Sequence, residues 1–294
     1  MIKGIIPAVI TPFTEREELA EEALQAILEH LIKKGVHGLF VTGSTGEFWA
    51  LSAQEKRRIY RASVDAVGAR VPVYAGTSAN STHEVVHLSQ IAQEEGVDAI
   101  SVLTPCFISP TDDELFAHYA AIAKAVRIPV LLYGNPARTG LKLSTSLVAR
   151  LASEFENIVG IKDSTGDLTQ TIDYMLQCPP DFRLIMGRDT LIYAALLHGA
   201  AGAIAASANI VPEIGVQIYE RYMSGDLQGA AESQRRLTPL RLAFTLGSFP
   251  VVLKEGAAML GLPAGPARAP IGRMSEDKRQ QLRAILTQMD CRLA

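Results

Sequence analysis

Cysteine is scarce in this chain: its 294 residues include three, Cys106, Cys178 and Cys291, an odd number at wide and unpatterned spacing. That argues against a disulfide framework and suits reduced thiols in a cytoplasmic compartment. Basic runs are lacking too. No stretch gathers five basic residues, and a formal net charge of -3 gives no general attraction to phosphate backbones, so nucleic acid is not expected as a partner. No G-x-G-x-x-G opens a helix after an apolar run, which weakens a dinucleotide-binding reading. The apolar N-terminus is broken by Pro7 and followed by Glu15, Glu17 and Glu18 without a small-residue cleavage site, so export is not expected. One long uncharged run, between Asp189 and Glu213, imitates a membrane span. His198, Gly199, Gly202 and Asn209 interrupt it, which predicts a short buried helix, a turn and a short strand instead, and no membrane association.

What is present is a regular alternation. Short β-type runs recur at Gly4 to Pro12, Gly38 to Thr45, Val71 to Thr77, Ala99 to Pro105, Pro129 to Asn135, Ile158 to Lys162, Arg183 to Gly187 and Ala203 to Ser207. Between them lie helical spacings such as Leu19, Ala23, Ile27 and Leu31, or Leu115, Tyr119, Ile122 and Val126. Capping boxes are predicted at Ser52 with Glu55, Ser81 with Glu84 and Thr111 with Glu114, and simple caps at Ser144 and Asp167. Apolar strands alternating with amphipathic helices imply a parallel sheet covered by helices. The strand count favours an α/β fold of the (β/α)8 TIM-barrel type over an open doubly wound sheet. Residues 1–224 are expected to form the barrel, and 225–294 a C-terminal helical region packed on it as part of one structural unit.

In such barrels the chemistry gathers at the C-terminal ends of the strands. Most lysines fall in helices or at their ends, whereas Lys162 closes an apolar strand in I-V-G-I-K-D. Two readings compete: an ion pair with Asp163, or a nucleophilic amine whose ammonium form an apolar barrel interior disfavours by desolvation. Tyr133 ends the preceding strand in V-L-L-Y-G-N-P and is placed to move protons beside Lys162, although a half-buried core tyrosine fits the position as well. The loop V-T-G-S-T-G-E supplies Gly43, Ser44, Thr45 and Gly46, whose amides and hydroxyls can converge on a carboxylate; a plain glycine turn is the competing view. Arg138, in N-P-A-R-T-G, can hold a second carboxylate or a sugar hydroxyl, or stand solvated.

Three motifs, G-S-T-G-E, Y-G-N-P-A-R-T-G and G-I-K-D-S-T-G, resemble in order and spacing the signatures of the dihydrodipicolinate synthase and N-acetylneuraminate lyase family. The resemblance runs from Gly4 to about Asn209. It implies a Schiff-base-forming lyase without a cofactor, acting on pyruvate or a related 2-keto acid with aldehyde partners. By the same resemblance Lys162 carries the Schiff base, Tyr133 is the acid/base, and Ser44 and Thr45 bind the pyruvyl carboxylate and relay protons. Gly187 and Ile204 line the pocket, Arg138 grips the carboxylate of an aldehyde, and the assembly is a homotetramer. The sequence departs from the synthases after the fourth strand, where Cys106 and Phe107 replace a tyrosine pair whose second member extends the proton relay. On that ground the expected reaction is aldol cleavage, condensation or dehydration of a 2-keto-3-deoxy sugar acid. The alternatives are condensation of pyruvate with aspartate semialdehyde, an N-acetylneuraminate lyase-like activity, and a non-catalytic barrel that binds a keto acid.

One motif points elsewhere. H-E-x-x-H at His83 to His87 can place two imidazoles on zinc, with Glu84 as base. Glu84 is already accounted for by the predicted cap at Ser81, and His30, His37, His118 and His198 are scattered over separate elements. No metal site is expected.

Overall fold

Neighbouring residues of a strand face opposite sides of the sheet, and the β runs obey that rule around a closed ring. The computed structural model describes residues 2–294. Its strands are β1 (Gly4–Pro7), β2 (Leu39–Val41), β3 (Val73–Gly76), β4 (Ala99–Leu103), β5 (Val130–Gly134), β6 (Ile158–Asp163), β7 (Arg183–Met186) and β8 (Gly202–Ala205). They pair in parallel in the order β1-β8-β7-β6-β5-β4-β3-β2. The remaining seam, between β1 and β2, is joined by a parallel bridge from Ala8 to Phe40, with the Val9 N–H donating to the Phe40 carbonyl at 2.8 Å. The fold is therefore a (β/α)8 barrel, and closure leaves no sheet edge open.

The paired strands are shorter than the apolar runs. Gly4 to Pro12 contributes four paired residues and Gly38 to Thr45 three. Val9, Ile10 and Thr42 lie beyond the ladder yet are buried. Their composition reflects burial in the rim loops, which apolar patterning does not separate from sheet pairing.

The crossovers are α1 (Glu21–Lys33), α2 (Ala53–Val67), α3 (Thr82–Glu94), α4 (Asp112–Ala125), α5 (Pro136–Thr139), α6 (Thr145–Glu154), α7 (Leu168–Gln177), α8 (Ile192–Leu197) and α9 (Pro212–Met223). On α1 the buried stripe is Leu24, Ile27, Leu28 and Leu31, the i, i+3, i+4, i+7 face that a helix lays on a sheet. Each such side chain contributes about 1.5–3 kcal/mol when fully buried. Ser52 with Glu55 and Thr111 with Glu114 form reciprocal capping boxes, and Ser144 and Asp167 cap their helices through a side-chain oxygen. The expected box at Ser81 is corrected to a simple cap: its side chain accepts from the Glu84 N–H, and Glu84 does not return the bond. The uncharged run forms α8 and β8 with a turn between them, and no helix among the described residues is long and apolar enough to cross a membrane.

After α9 follow α10 (Leu227–Leu242), α11 (Val251–Met259) and α12 (Glu276–Gln288). Leu240, Val252, Leu253, Ala257, Leu282 and Leu286 from these helices belong to the same core as the barrel's outer layer. A smaller core inside the barrel is made by Ile6, Ala8, Phe40, Tyr74, Leu131, Ile185 and Ile204.

Candidate active site

Strand parity decides where Lys162 points. Leu131, Ile185 and Ile204 belong to the inner core, whereas Leu132, Ile161 and Leu184 belong to the outer one. Lys162 follows Ile161, so its side chain turns inward; it is 4% exposed. In the β5–β6 register Lys162 stands opposite Tyr133. Its Nζ lies 4.1 Å from the centroid of the Tyr133 ring and 4.7 Å from that of Phe40. Asp163 has the opposite parity. Its carboxylate accepts from the Thr171 hydroxyl at 2.6 Å and from the Thr165 N–H at 2.9 Å, so the competing ion-pair reading of Lys162 with Asp163 does not hold.

Tyr133 is buried, and its hydroxyl accepts from Asn135 Nδ2 at 3.1 Å. Burial pushes the phenol up, but the Lys162 ammonium and hydrogen bonds from Ser44, Asn135 and Ser164 outweigh it and hold the group below its ordinary value. A phenol so placed gives up and recovers a proton more readily than a free tyrosine.

Around this pair opens a cavity of about 490 Å³ lined by Ser44, Thr45, Tyr133, Arg138, Lys162, Gly187 and Ile204. Seven of the nine expected site residues therefore meet at one place; Gly43 is not on the wall. Gly46 is not on the wall either, and its carbonyl accepts from the Thr11 hydroxyl at 2.7 Å. Its part is in shaping the loop. At Gly187 a Cβ would sit 2.0 Å from Ser164 Oγ, so only glycine allows the loops after β6 and β7 to approach this closely.

The wall facing Lys162 was not visible in the sequence. Arg241, Phe244, Thr245, Ser248 and Phe249, from the end of α10 and the turn into α11, line the cavity together with Ser164 and Arg188. The only signal was punctuation by Gly247 and Pro250, which marks a turn without saying what it faces. The same region fixes the G-S-T-G-E loop from behind. Lys254 Nζ lies 2.6 Å from Glu47 Oε1, with both side chains at 1% exposure or less, and the Arg268 N–H donates to Glu47 Oε2 at 2.9 Å. Burial, partly offset by Glu47, pulls the Lys254 ammonium down to about 8.

His83 and His87 are exposed on α3, and among the described residues no group of three His, Cys, Asp or Glu side chains converges as a metal site. Phe107 lies outside the cavity, at φ 74° and 98% exposed.

An amine closing one barrel strand beside a polarised phenol on the next, within a parallel eight-stranded barrel, defines the class I, Schiff-base-forming aldolases. The chain belongs to the dihydrodipicolinate synthetase family, whose model matches residues 1–289. It is 39% identical over 289 residues to the 4-hydroxy-tetrahydrodipicolinate synthase of Methanopyrus kandleri, covering 98% of this chain and 96% of that protein. Among solved structures it superposes with a TM-score of 0.97 and 34% identity on YagE, a prophage protein of the dihydrodipicolinic acid synthase family from E. coli K12 in complex with pyruvate, covering 99% of this chain and 100% of that one. It superposes with a TM-score of 0.96 and 32% identity on dihydrodipicolinate synthase from Aquifex aeolicus, covering 99% of both.

Proposed function

We propose that Lys162 forms the Schiff base with pyruvate and that the enzyme condenses the resulting enamine with an aldehyde. The observation that carries this reading is the inward-facing Lys162 against the Tyr133 ring. Nζ attacks the keto carbon and water leaves, giving the imine; loss of a C3 proton gives the enamine. C3 then bonds to the aldehyde carbon, the aldehyde oxygen takes up a proton, and water releases the product and restores the amine. Tyr133 is the group that moves protons in these steps, with the Ser44 and Thr45 hydroxyls beside it. Ser44 and Thr45 also receive the pyruvyl carboxylate, and Gly187 and Ile204 shape the floor. Arg138 holds a carboxylate on the aldehyde.

The names of the relatives favour 4-hydroxy-tetrahydrodipicolinate synthesis, with aspartate semialdehyde as the aldehyde, over the sugar-acid reaction that the sequence favoured. The sugar acid remains a second reading on one observation: Phe107 has no hydroxyl with which to extend a relay from Tyr133. The reading includes a homotetramer, as the resemblance to the family implies.

The test has two parts. Borohydride reduction in the presence of pyruvate should add one reduced pyruvyl group to the peptide containing Lys162. The kcat/KM for pyruvate with aspartate semialdehyde should then exceed that for a panel of 2-keto-3-deoxy sugar acids. An adduct on another lysine removes the mechanism; the reverse substrate order removes the synthase reading alone.

A further inference from the structure

Asn135 follows β5 directly, at the end of the strand that carries Tyr133. Residues two apart on an extended strand share a face, and Tyr133 and Asn135 both line the cavity around Lys162. Asn135 is also the N-cap of α5 and the residue before Pro136. Its backbone is held from two sides. A proline keeps the residue before it out of the helical region, and the Asn135 carbonyl accepts from the Arg138 N–H at 2.9 Å and the Thr139 N–H at 3.1 Å.

An asparagine at this place ordinarily caps its helix, the side-chain oxygen accepting from an N–H of the first turn. Here the side chain makes no cap bond, and Nδ2 donates back to the Tyr133 hydroxyl at 3.1 Å. The carboxamide serves the phenol instead of the helix. Three side chains hydrogen-bond the phenol oxygen, those of Ser44, Asn135 and Ser164. They differ in kind: a hydroxyl rotates to donate or accept, whereas the amide NH2 only donates. With the Asn135 N–H on one lone pair, the Tyr133 O–H points away from the carboxamide, towards the serine hydroxyls and the cavity. When the phenol gives up its proton the N–H stays on the oxygen, and a donor to an anion binds more strongly than one to a neutral acceptor.

We infer that Asn135 is a positioning residue for proton transfer at Tyr133: its carboxamide fixes the direction of the phenol O–H and stabilises the oxygen while its proton is away. This role rests on Lys162 being the Schiff-base residue and Tyr133 the group that moves protons. The amide neither gains nor loses a proton at working pH, so it supports the charge on the oxygen without drawing off the proton. Donor and phenol lie two residues apart in one chain. The effect therefore needs no hydroxyl from a second subunit, and the lack of one on Phe107 leaves it intact.

The experiment follows exchange of the pyruvate methyl protons with deuterated water by NMR, across the neutral and alkaline range, in the wild type, Y133F, N135A and N135D. Exchange passes through the enamine and needs no aldehyde. Borohydride trapping of pyruvate on Lys162 and thermal unfolding are recorded for each protein. In the wild type the rate should rise with pH through the ionisation of Tyr133, below the ordinary phenol value of about 10, and Y133F should lack that rise. N135A leaves the phenolate one donor short, so its inflection should move up by about one pH unit or more, and its rate at neutral pH should fall by about tenfold or more. N135D puts a negative acceptor where the donor was and should move the inflection further still. An inflection that stays in place in both variants, an N135D profile like that of the wild type, or a loss of rate equal at every pH overturns the role of Asn135. So does a wild-type profile with no inflection below about 10, or one that persists in Y133F, results that stand even if neither Asn135 variant folds. If pyruvate is not trapped on Lys162 in the wild type, the Schiff-base reading fails with it; trapping with an unmoved inflection defeats the role of Asn135 alone.

Discussion

The Lys254 ammonium lies 2.6 Å from the Glu47 carboxylate, inside the protein and out of reach of solvent. The pair joins α11 to the loop that carries Ser44 and Thr45, so the C-terminal helices brace the part of the cavity wall proposed to receive pyruvate. Removing one partner leaves the other charge buried alone. Lys254→Met is expected to cost about 3–5 kcal/mol in urea unfolding and to raise the KM for pyruvate. Combining it with Glu47→Gln should recover part of the stability. A single variant within about 0.5 kcal/mol of wild type would show that the pair does not hold the loop.

Lys162→Ala should abolish the borohydride-dependent pyruvate adduct and lower kcat by about 10³-fold or more. Lys162→Arg should not restore it, because a guanidinium remains protonated and is no nucleophile at neutral pH. An adduct that survives in either variant, read by intact mass, would place the Schiff base on a different lysine.

Tyr133→Phe keeps the ring that packs under Lys162 and removes only the hydroxyl. A loss of about 10²–10⁴-fold in kcat, with thermal stability close to wild type, is the expected outcome for a group that moves protons. A change confined to KM would make Tyr133 a binding residue instead.

Arg268 hydrogen-bonds the Glu55 carboxylate and holds it at about 2, well below its ordinary 4.5. The folded protein keeps the carboxylate ionised where the unfolded chain takes up a proton, so this contribution is complete above about pH 4.5 and is lost as the pH falls towards 2. Glu55→Gln should therefore be less stable than wild type near pH 7, and the gap in urea midpoint should narrow through that acid window. A gap that stays constant with pH would assign the difference to packing.

Lys162 and Tyr133 were legible because both depend on local pattern. Each closes an apolar run, each run is a strand, and adjacent parallel strands bring their C-terminal residues to one rim. The inward parity of Lys162 followed once Ile161 was placed in the outer core, and the opposite parity of Asp163, bonded to Thr171 and Thr165, disposed of the rival pairing. Gly46 shows the limit of the same reasoning: a glycine in a motif reads as a ligand contact whether its amide faces the cavity or its carbonyl turns back to Thr11. The separation of Arg241 and Phe249 from Lys162 along the chain placed the second wall beyond any window of periodicity.

The sequence by itself determined the alternation of strand and helix, the caps that begin five of the helices, and the place of Lys162 at the end of an apolar strand, because these depend on spacing within a few residues and on burying apolar surface at the right period. Only the tertiary structure decided that the C-terminal helices complete the cavity, that Glu47 and Lys254 neutralise one another, and that Arg138, Arg188 and Arg241 share one wall. Charge pairing and cavity shape depend on which side chains meet across the fold, and closure of the barrel brings together residues that no local pattern relates.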